Sequence, residues 1–129
     1  MTVKILYVED NRMNFVLVKK ILSSYDVEVL HAEDGPRAVV IAEEQKPALV
    51  LLDLQLPGMD GFQVAGRIRT IESLSDVPIL AVTASVMARD RQEAERTGLD
   101  GYLEKPLDIK AFLEEIGRLL GDRLVPRRG

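Results

Sequence analysis

Glu9 and Asp10 follow the apolar run Val3 to Val8, Asp53 follows Leu49 to Leu52, Thr83 follows Ile79 to Val82, and Lys105 comes two residues after the short run Gly101 to Leu103. Taken singly, each is commonplace, since an aspartate after an apolar run usually forms a turn or caps a helix. Taken together they point to chemistry. Three carboxylates at neighbouring strand ends would repel, each pair by up to roughly 3 kcal/mol at ~5 Å and an effective dielectric of ~20. Lys105 offsets part of that repulsion, and a divalent cation would offset the rest. Ligation by a few carboxylate oxygens and water suits Mg2+. An aspartate in such a setting can attack phosphorus and form an acyl phosphate. Mg2+, the Lys105 ammonium and the Thr83 hydroxyl would then share the phosphoryl oxygens.

The rest of the composition narrows the choice. The chain has no cysteine and one histidine, so thiolate nucleophiles, disulfides, cysteine zinc sites and histidine cages are excluded, and any metal must be held by oxygen. Seventeen Lys and Arg against twenty-one Asp and Glu give a net charge of −4, which argues against binding nucleic acid. The loop EDNRMN at 9 to 14 is acidic and would repel a phosphate rather than cradle it, and no GxGxxG or Walker pattern occurs, which counts against a flavin or nucleotide binder. No apolar run is long enough to span a membrane, and residues 1–10 are too short and too charged for a signal peptide, so the expected location is the cytoplasm.

The elements that would position these residues follow from periodicity. Runs such as LVLL and ILAV show no polar alternation, as expected of parallel strands buried on both faces, and five such runs alternate with segments of helical period. At 129 residues this is one domain. The expected fold is three-layer α/β/α, flavodoxin-like (βα)5, with a parallel five-stranded sheet in the order 2-1-3-4-5; its crevice lies past the carboxyl ends of the first and third strands.

Helices are expected from Asn14, with Asn11 as cap and Leu17, Val18, Ile21 and Leu22 as the buried stripe. Others should run from Asp34 or Gly35 to Ala42 and from Asp60 to Ile71. A further helix at about 88 to 97 has almost no apolar side chains and should be the loosest. The last buries Ile109, Phe112, Leu113, Ile116, Leu119 and Leu120. The domain spans 1–121. Residues 122–129 read as a polar, frayed tail whose LVPR run resembles an appended thrombin recognition sequence.

The string VEDN at 8 to 11, Asp53 followed by LPGMDG, Thr83-Ala84, Tyr102 and Lys105-Pro106 together resemble the receiver domain of bacterial two-component response regulators, of the single-domain, chemotaxis-regulator-like type. The likeness runs from Val3 to Leu120. It implies that Asp53 accepts phosphate from a phosphohistidine on a histidine kinase or histidine phosphotransfer protein. It implies further that Asp10 binds Mg2+, that Glu9 does so directly or through water, and that the Gln55 carbonyl completes the protein ligands. Thr83 and Lys105 would stabilise the phosphoryl group. Thr83 and Tyr102 would form the switch pair, and the bond before Pro106 would be cis. Phe15 and Val16, on the first helix, would help dock the phosphodonor. Glu9 stands where the family most often has aspartate.

Such a protein is not an enzyme in the usual sense. It assists only its own phosphorylation and dephosphorylation, and passes its signal to a downstream protein target through the face formed by the segment at 88 to 97, the fifth strand and the last helix. A monomer or weak dimer is expected. Two alternatives compete with this reading: a non-phosphorylated scaffold, against which the complete residue set argues, and an aspartyl-phosphate phosphatase of the haloacid dehalogenase class, which needs an acid where Gln55 stands. His31 reads as an ordinary surface or loop histidine, and Gly58, Gly61, Gly98 and Gly101 as turn and cap positions.

Overall fold

Side chains of successive strand residues point to opposite faces, so a strand that is apolar throughout feeds two cores at once. That is what the computed structural model shows for residues 2–56, 58–84, 92, 96 and 98–128, which are the residues it describes. Strands β1 (Val3–Val8), β2 (Val27–Ala32), β3 (Leu49–Leu52), β4 (Ile79–Thr83) and β5 (Gly101–Glu104) form one parallel sheet in the order β2-β1-β3-β4-β5. Leu6, Val8, Val50, Leu52, Ile79 and Ala81 face one core together with Ala38, Ala42, Val64 and Ile68. Ile5, Tyr7, Leu49, Leu51, Leu80 and Val82 face the other with Val18, Leu22, Phe112 and Ile116. Each fully buried large side chain contributes roughly 1.5–3 kcal/mol.

The first core is covered by α2 (Gly35–Gln45) and α3 (Gly61–Arg69), the second by α1 (Arg12–Ile21) and the C-terminal helix, here α4 (Ile109–Leu120). The architecture is the flavodoxin-like three-layer α/β/α fold that the periodicity implied. Of the helix expected at 88 to 97, only Gln92 and Arg96 are described, both helical; the rest of that segment lies outside the described residues.

Local chemistry sets where the helices begin. The Asn11 side chain accepts from the backbone N–H of Met13 at 2.8 Å and of Asn14 at 3.2 Å, which starts α1 at Arg12, two residues earlier than expected. Asp34 caps α2 through Arg37 N–H at 2.8 Å. Asp60 and Gln63 form a reciprocal capping box at the start of α3, with contacts of 2.9 and 3.1 Å.

Three packing expectations need correction. Leu17 is not part of the buried stripe of α1: it is 47% exposed, and the stripe runs through Val18 and Leu22 with Phe15 and Ile21 at its margin. Ile109, in the first turn of α4, is 53% exposed and stands outside the face that buries Phe112, Ile116 and Leu120. The tail is not frayed. Leu124 packs on the second core, Asp26 N–H donates to the Val125 carbonyl at 2.7 Å, and Arg127 N–H donates to the Ser24 carbonyl at 2.8 Å. An antiparallel bridge between Tyr25 and Pro126 completes the contact, so backbone pairing outweighs the polarity of the segment.

Candidate functional site

The sheet register brings the strand-end residues together. Val8 pairs with Leu52 and Leu52 with Ala81, so the residues that follow in β1 and β3, Glu9 and Asp53, emerge side by side. The ladder continues one step further: Asp53 N–H donates to the Val8 carbonyl at 3.0 Å and Lys105 N–H to the Thr83 carbonyl at 2.7 Å. One ligand oxygen from each of Glu9, Asp10 and Asp53 lies within 4.8 Å of the others. Glu9 and Asp53 are buried and Asp10 is exposed, so the cluster has a buried floor and an open rim.

Lys105 is the cation of the site. Its Nζ donates to Glu9 Oε1 at 2.5 Å and to Asp53 Oδ2 at 3.1 Å. Asp53 Oδ1 accepts from Gln55 N–H at 2.9 Å. Glu9 Oε1 accepts two further hydrogen bonds, from Asn14 Nδ2 at 2.5 Å and from the Tyr7 hydroxyl at 3.4 Å. Glu9 Oε2 and the Thr83 hydroxyl oxygen are buried and have no hydrogen-bond partner among the described residues. The Lys105–Pro106 peptide bond is cis.

Electrostatics follow from this crowding. Burial away from water, followed by the neighbouring Asp53 carboxyl, pushes the Glu9 carboxyl above its ordinary 4.5, against the opposing pull of Lys105 and Asn14. Burial pulls the Lys105 ammonium down, but its hydrogen bond to Glu9 and the charges of Asp53 and Glu9 outweigh that and hold it above its ordinary value. Burial, reinforced by the Glu9 and Asp53 charges, keeps the Tyr7 hydroxyl protonated, and therefore a donor.

Tyr102 pairs with Ala81 across β4 and β5, so it shares a sheet face with Thr83 and packs half-buried against the α2–α3 core. Val16 is exposed on α1, flanked by the exposed Met13 and Leu17. Phe15 is engaged elsewhere: its ring stacks on His31, centroids 4.2 Å apart and planes 7° from parallel. His31 is thus not the surface histidine expected. Half-buried on β2 opposite Tyr7, it places Nε2 2.7 Å from the Glu9 carbonyl oxygen and ties down the start of the β1–α1 loop.

Sequence reasoning also passed over Tyr7 and Asn14. Their signal was present: Tyr7 precedes Glu9 by two, which on a strand means the same face, and Asn14 lies one helical turn past the Asn11 cap. Gly61 is another position of consequence, because a Cβ there would come within 2.5 Å of Leu54 Cα and 2.7 Å of the Asp53 carbonyl oxygen. It is a close-approach position, as is Gly101, whose Cβ would lie 2.7 Å from Leu80 Cδ1. Gly58 and Gly98 have φ of +82° and +76°, consistent with turns.

An acidic cluster, a half-buried lysine and a buried hydroxyl at the carboxyl edge of a doubly wound parallel sheet stand at the switch point, where domains of this class bind their ligands. The model of the response regulator receiver domain matches residues 5–117. The polar-differentiation response regulator DivK of Brucella ovis is 34% identical over 122 residues, covering 95% of this chain and 99% of that protein. The chain is also similar to the Vibrio cholerae chemotaxis protein CheY4, with a TM-score of 0.88 and 28% identity over 93% of this chain and 100% of the other. A third likeness is to the receiver domain of the sensor histidine kinase PA1611 of Pseudomonas aeruginosa, solved with a magnesium ion coordinated in its active-site cleft, with a TM-score of 0.85 and 34% identity over 95% and 100% of the two chains. The chain belongs to the response regulator receiver domain family, the receiving signalling domains of two-component systems. Among the described residues, no helix is long and apolar enough to cross a membrane.

Proposed function

We propose that the chain is a phospho-accepting switch: an Asp53 carboxylate oxygen attacks the phosphorus of a phosphohistidine on a histidine kinase or phosphotransfer protein. The new O–P bond forms as the N–P bond breaks, and its electron pair returns to the imidazole, which takes up a proton. The observation that carries this reading is Lys105 held between the two buried carboxylates of Glu9 and Asp53, since the same ammonium can move onto a phosphoryl oxygen as it arrives.

The donor set fits Mg2+: three carboxylate oxygens converge, and one buried oxygen, Glu9 Oε2, lacks a partner among the described residues. Glu9, Asp10, Asp53 and the Gln55 carbonyl would hold the ion, which when bound neutralises the phosphoryl oxygens. Thr83 supports the reading with a buried hydroxyl that has no hydrogen-bond partner among the described residues. A phosphoryl group adds about −1.5 to −2 charges, enough to draw that hydroxyl over and free space for Tyr102, on the same face, to turn inward.

Val16, beside the Met13 and Leu17 side chains, offers an apolar docking surface for the phosphodonor, and Phe15 backs it through its stack on His31. The signal leaves toward a downstream protein over the face of β5 and α4; the segment at 88 to 97 assigned to the same output lies largely outside the described residues. On this reading the receiver unit is 1–121, with 122–129 docked beside it. Incubation with acetyl phosphate and Mg2+, followed by intact mass measurement, tests the proposal. One added phosphate that Asp53→Asn abolishes is expected, and an unchanged wild-type mass overturns it.

A further inference from the structure

A glutamate is a looser metal ligand than an aspartate, because one more rotatable bond lets its carboxylate present either oxygen or swing away. At position 9 that freedom is removed from two directions. Tyr7, buried in β1 on the same strand face, donates to Oε1 at 3.4 Å, and Asn14, from the first turn of α1, donates to the same oxygen at 2.5 Å. With Lys105 Nζ also at 2.5 Å, three donors converge on Oε1, which saturates it. Oε2 meanwhile is buried and has no hydrogen-bond partner among the described residues. The two oxygens of one carboxylate thus have separate tasks.

We propose that Tyr7 and Asn14 are positioning residues for Glu9: by engaging Oε1 they leave Oε2 as the oxygen offered to the divalent cation, directly or through one water. This rests on the reading that the cleft takes Mg2+. Neither residue touches the cation. Each acts through the glutamate, as the outer partners of metal ligands do. The pair is matched to glutamate in particular. An aspartate at position 9 would withdraw the carboxylate by about 1.5 Å, one carbon–carbon bond, and carry it out of reach of Asn14.

The test is a double-mutant cycle read by calorimetric titration with MgCl2 at fixed pH, with thermal melts confirming that each variant folds. Asn14→Ala is expected to weaken Mg2+ binding about 10- to 100-fold in the Glu9 chain, but by no more than about twofold in the Glu9→Asp chain. Tyr7→Phe, isosteric and safe for the core, should show the same pattern with a smaller loss of roughly threefold, in keeping with its longer contact. Equal losses in both backgrounds would reduce the two residues to a general structural role and overturn the proposal, as would unchanged affinity in both Glu9-chain variants when the unmodified chain binds Mg2+. Absence of Mg2+ binding by the unmodified chain is a different result: it removes the cation reading itself.

Discussion

The Lys105 ammonium bridges Glu9 Oε1 and Asp53 Oδ2, at 2.5 and 3.1 Å, and is the positive charge the structure sets between two buried acids. Replacing it with an apolar side chain of similar length removes the compensation while the acids stay buried. Lys105→Met should therefore lower stability at neutral pH by about 3 kcal/mol, the scale for breaking a buried pair. Urea unfolding at pH 7 measures the loss, and Mg2+ should restore part of it. A change below about 0.5 kcal/mol, the level of an exposed pair, would show that the bridge is not a structural contact.

The raised pKa of Glu9 has a definite sign. A carboxyl that holds its proton more tightly folded than unfolded contributes stability that is complete below its unfolded value near 4.5 and is lost as pH rises through the higher folded value. In EDTA, the melting temperature of the unmodified chain should fall relative to Glu9→Gln as pH climbs from about 4.5 toward neutrality. Mg2+ should flatten the difference by favouring the ionised form. Parallel pH profiles for the two proteins would assign the slope to other groups.

Asp10 sits at the exposed rim of the same cluster, so its repulsion is screened and small. Asp10→Asn without metal should raise the melting temperature by about 1–2 °C, and it should abolish the rise that Mg2+ gives the unmodified chain. Differential scanning calorimetry in EDTA and in MgCl2 reads both effects. A lower melting temperature in EDTA together with a retained Mg2+ response would refute the account of acid crowding.

Thr83 and Tyr102 lie on one face of adjacent strands, with the Thr83 hydroxyl buried and without a partner among the described residues. Thr83→Ala should still gain one phosphate at Asp53 but lose the coupling to the ring. Nitrogen-15 NMR of the phosphorylated proteins should show large shifts along β5 in the unmodified chain and markedly smaller ones in Thr83→Ala. Equal shifts in both would leave the hydroxyl with no part in the switch.

The legible parts of this molecule are those in which one residue's environment follows from its neighbours in sequence. LVLL and ILAV carry no polar residue because both faces of β3 and β4 are covered, and that pattern marks parallel strands with Asp53 and Thr83 at their carboxyl ends; the order 2-1-3-4-5 follows from the doubly wound arrangement usual for a chain of this length. Asn11, Asp60 and Asp108 act through amides two or three residues away, so their caps could be read locally. Contacts made across the fold were hidden. His31 meets the Glu9 carbonyl only because β2 lies beside β1 in the register Tyr7 to His31. The tail is held by backbone groups of Ser24 and Asp26, whose availability no side-chain pattern announces. Leu17 has the period of a core residue, but α1 packs on the sheet through Val18 and Leu22, leaving Leu17 on the rim beside Pro106.

Gly61 links fold to site and supplies the last test. It opens α3 directly beneath the loop that carries Asp53, and its N–H donates to the Leu54 carbonyl at 3.0 Å. A methyl group here would meet Leu54 Cα at 2.5 Å and the Asp53 carbonyl oxygen at 2.7 Å, both backbone atoms that cannot rotate aside. Gly61→Ala must therefore push the β3–α3 loop away from the helix. The cost should be about 2–3 kcal/mol, at the upper end for overpacking. Because the displaced backbone belongs to Asp53, acyl phosphate formation should slow by more than stability alone explains. Urea unfolding gives the first quantity, and the rate of mass gain with acetyl phosphate, measured where the variant is fully folded, gives the second. Gly66→Ala is the control: its added methyl meets nothing within 4 Å, so the rate of mass gain should stay near that of the unmodified chain, while stability should hold or rise by up to about 1 kcal/mol because alanine suits a helix interior better than glycine.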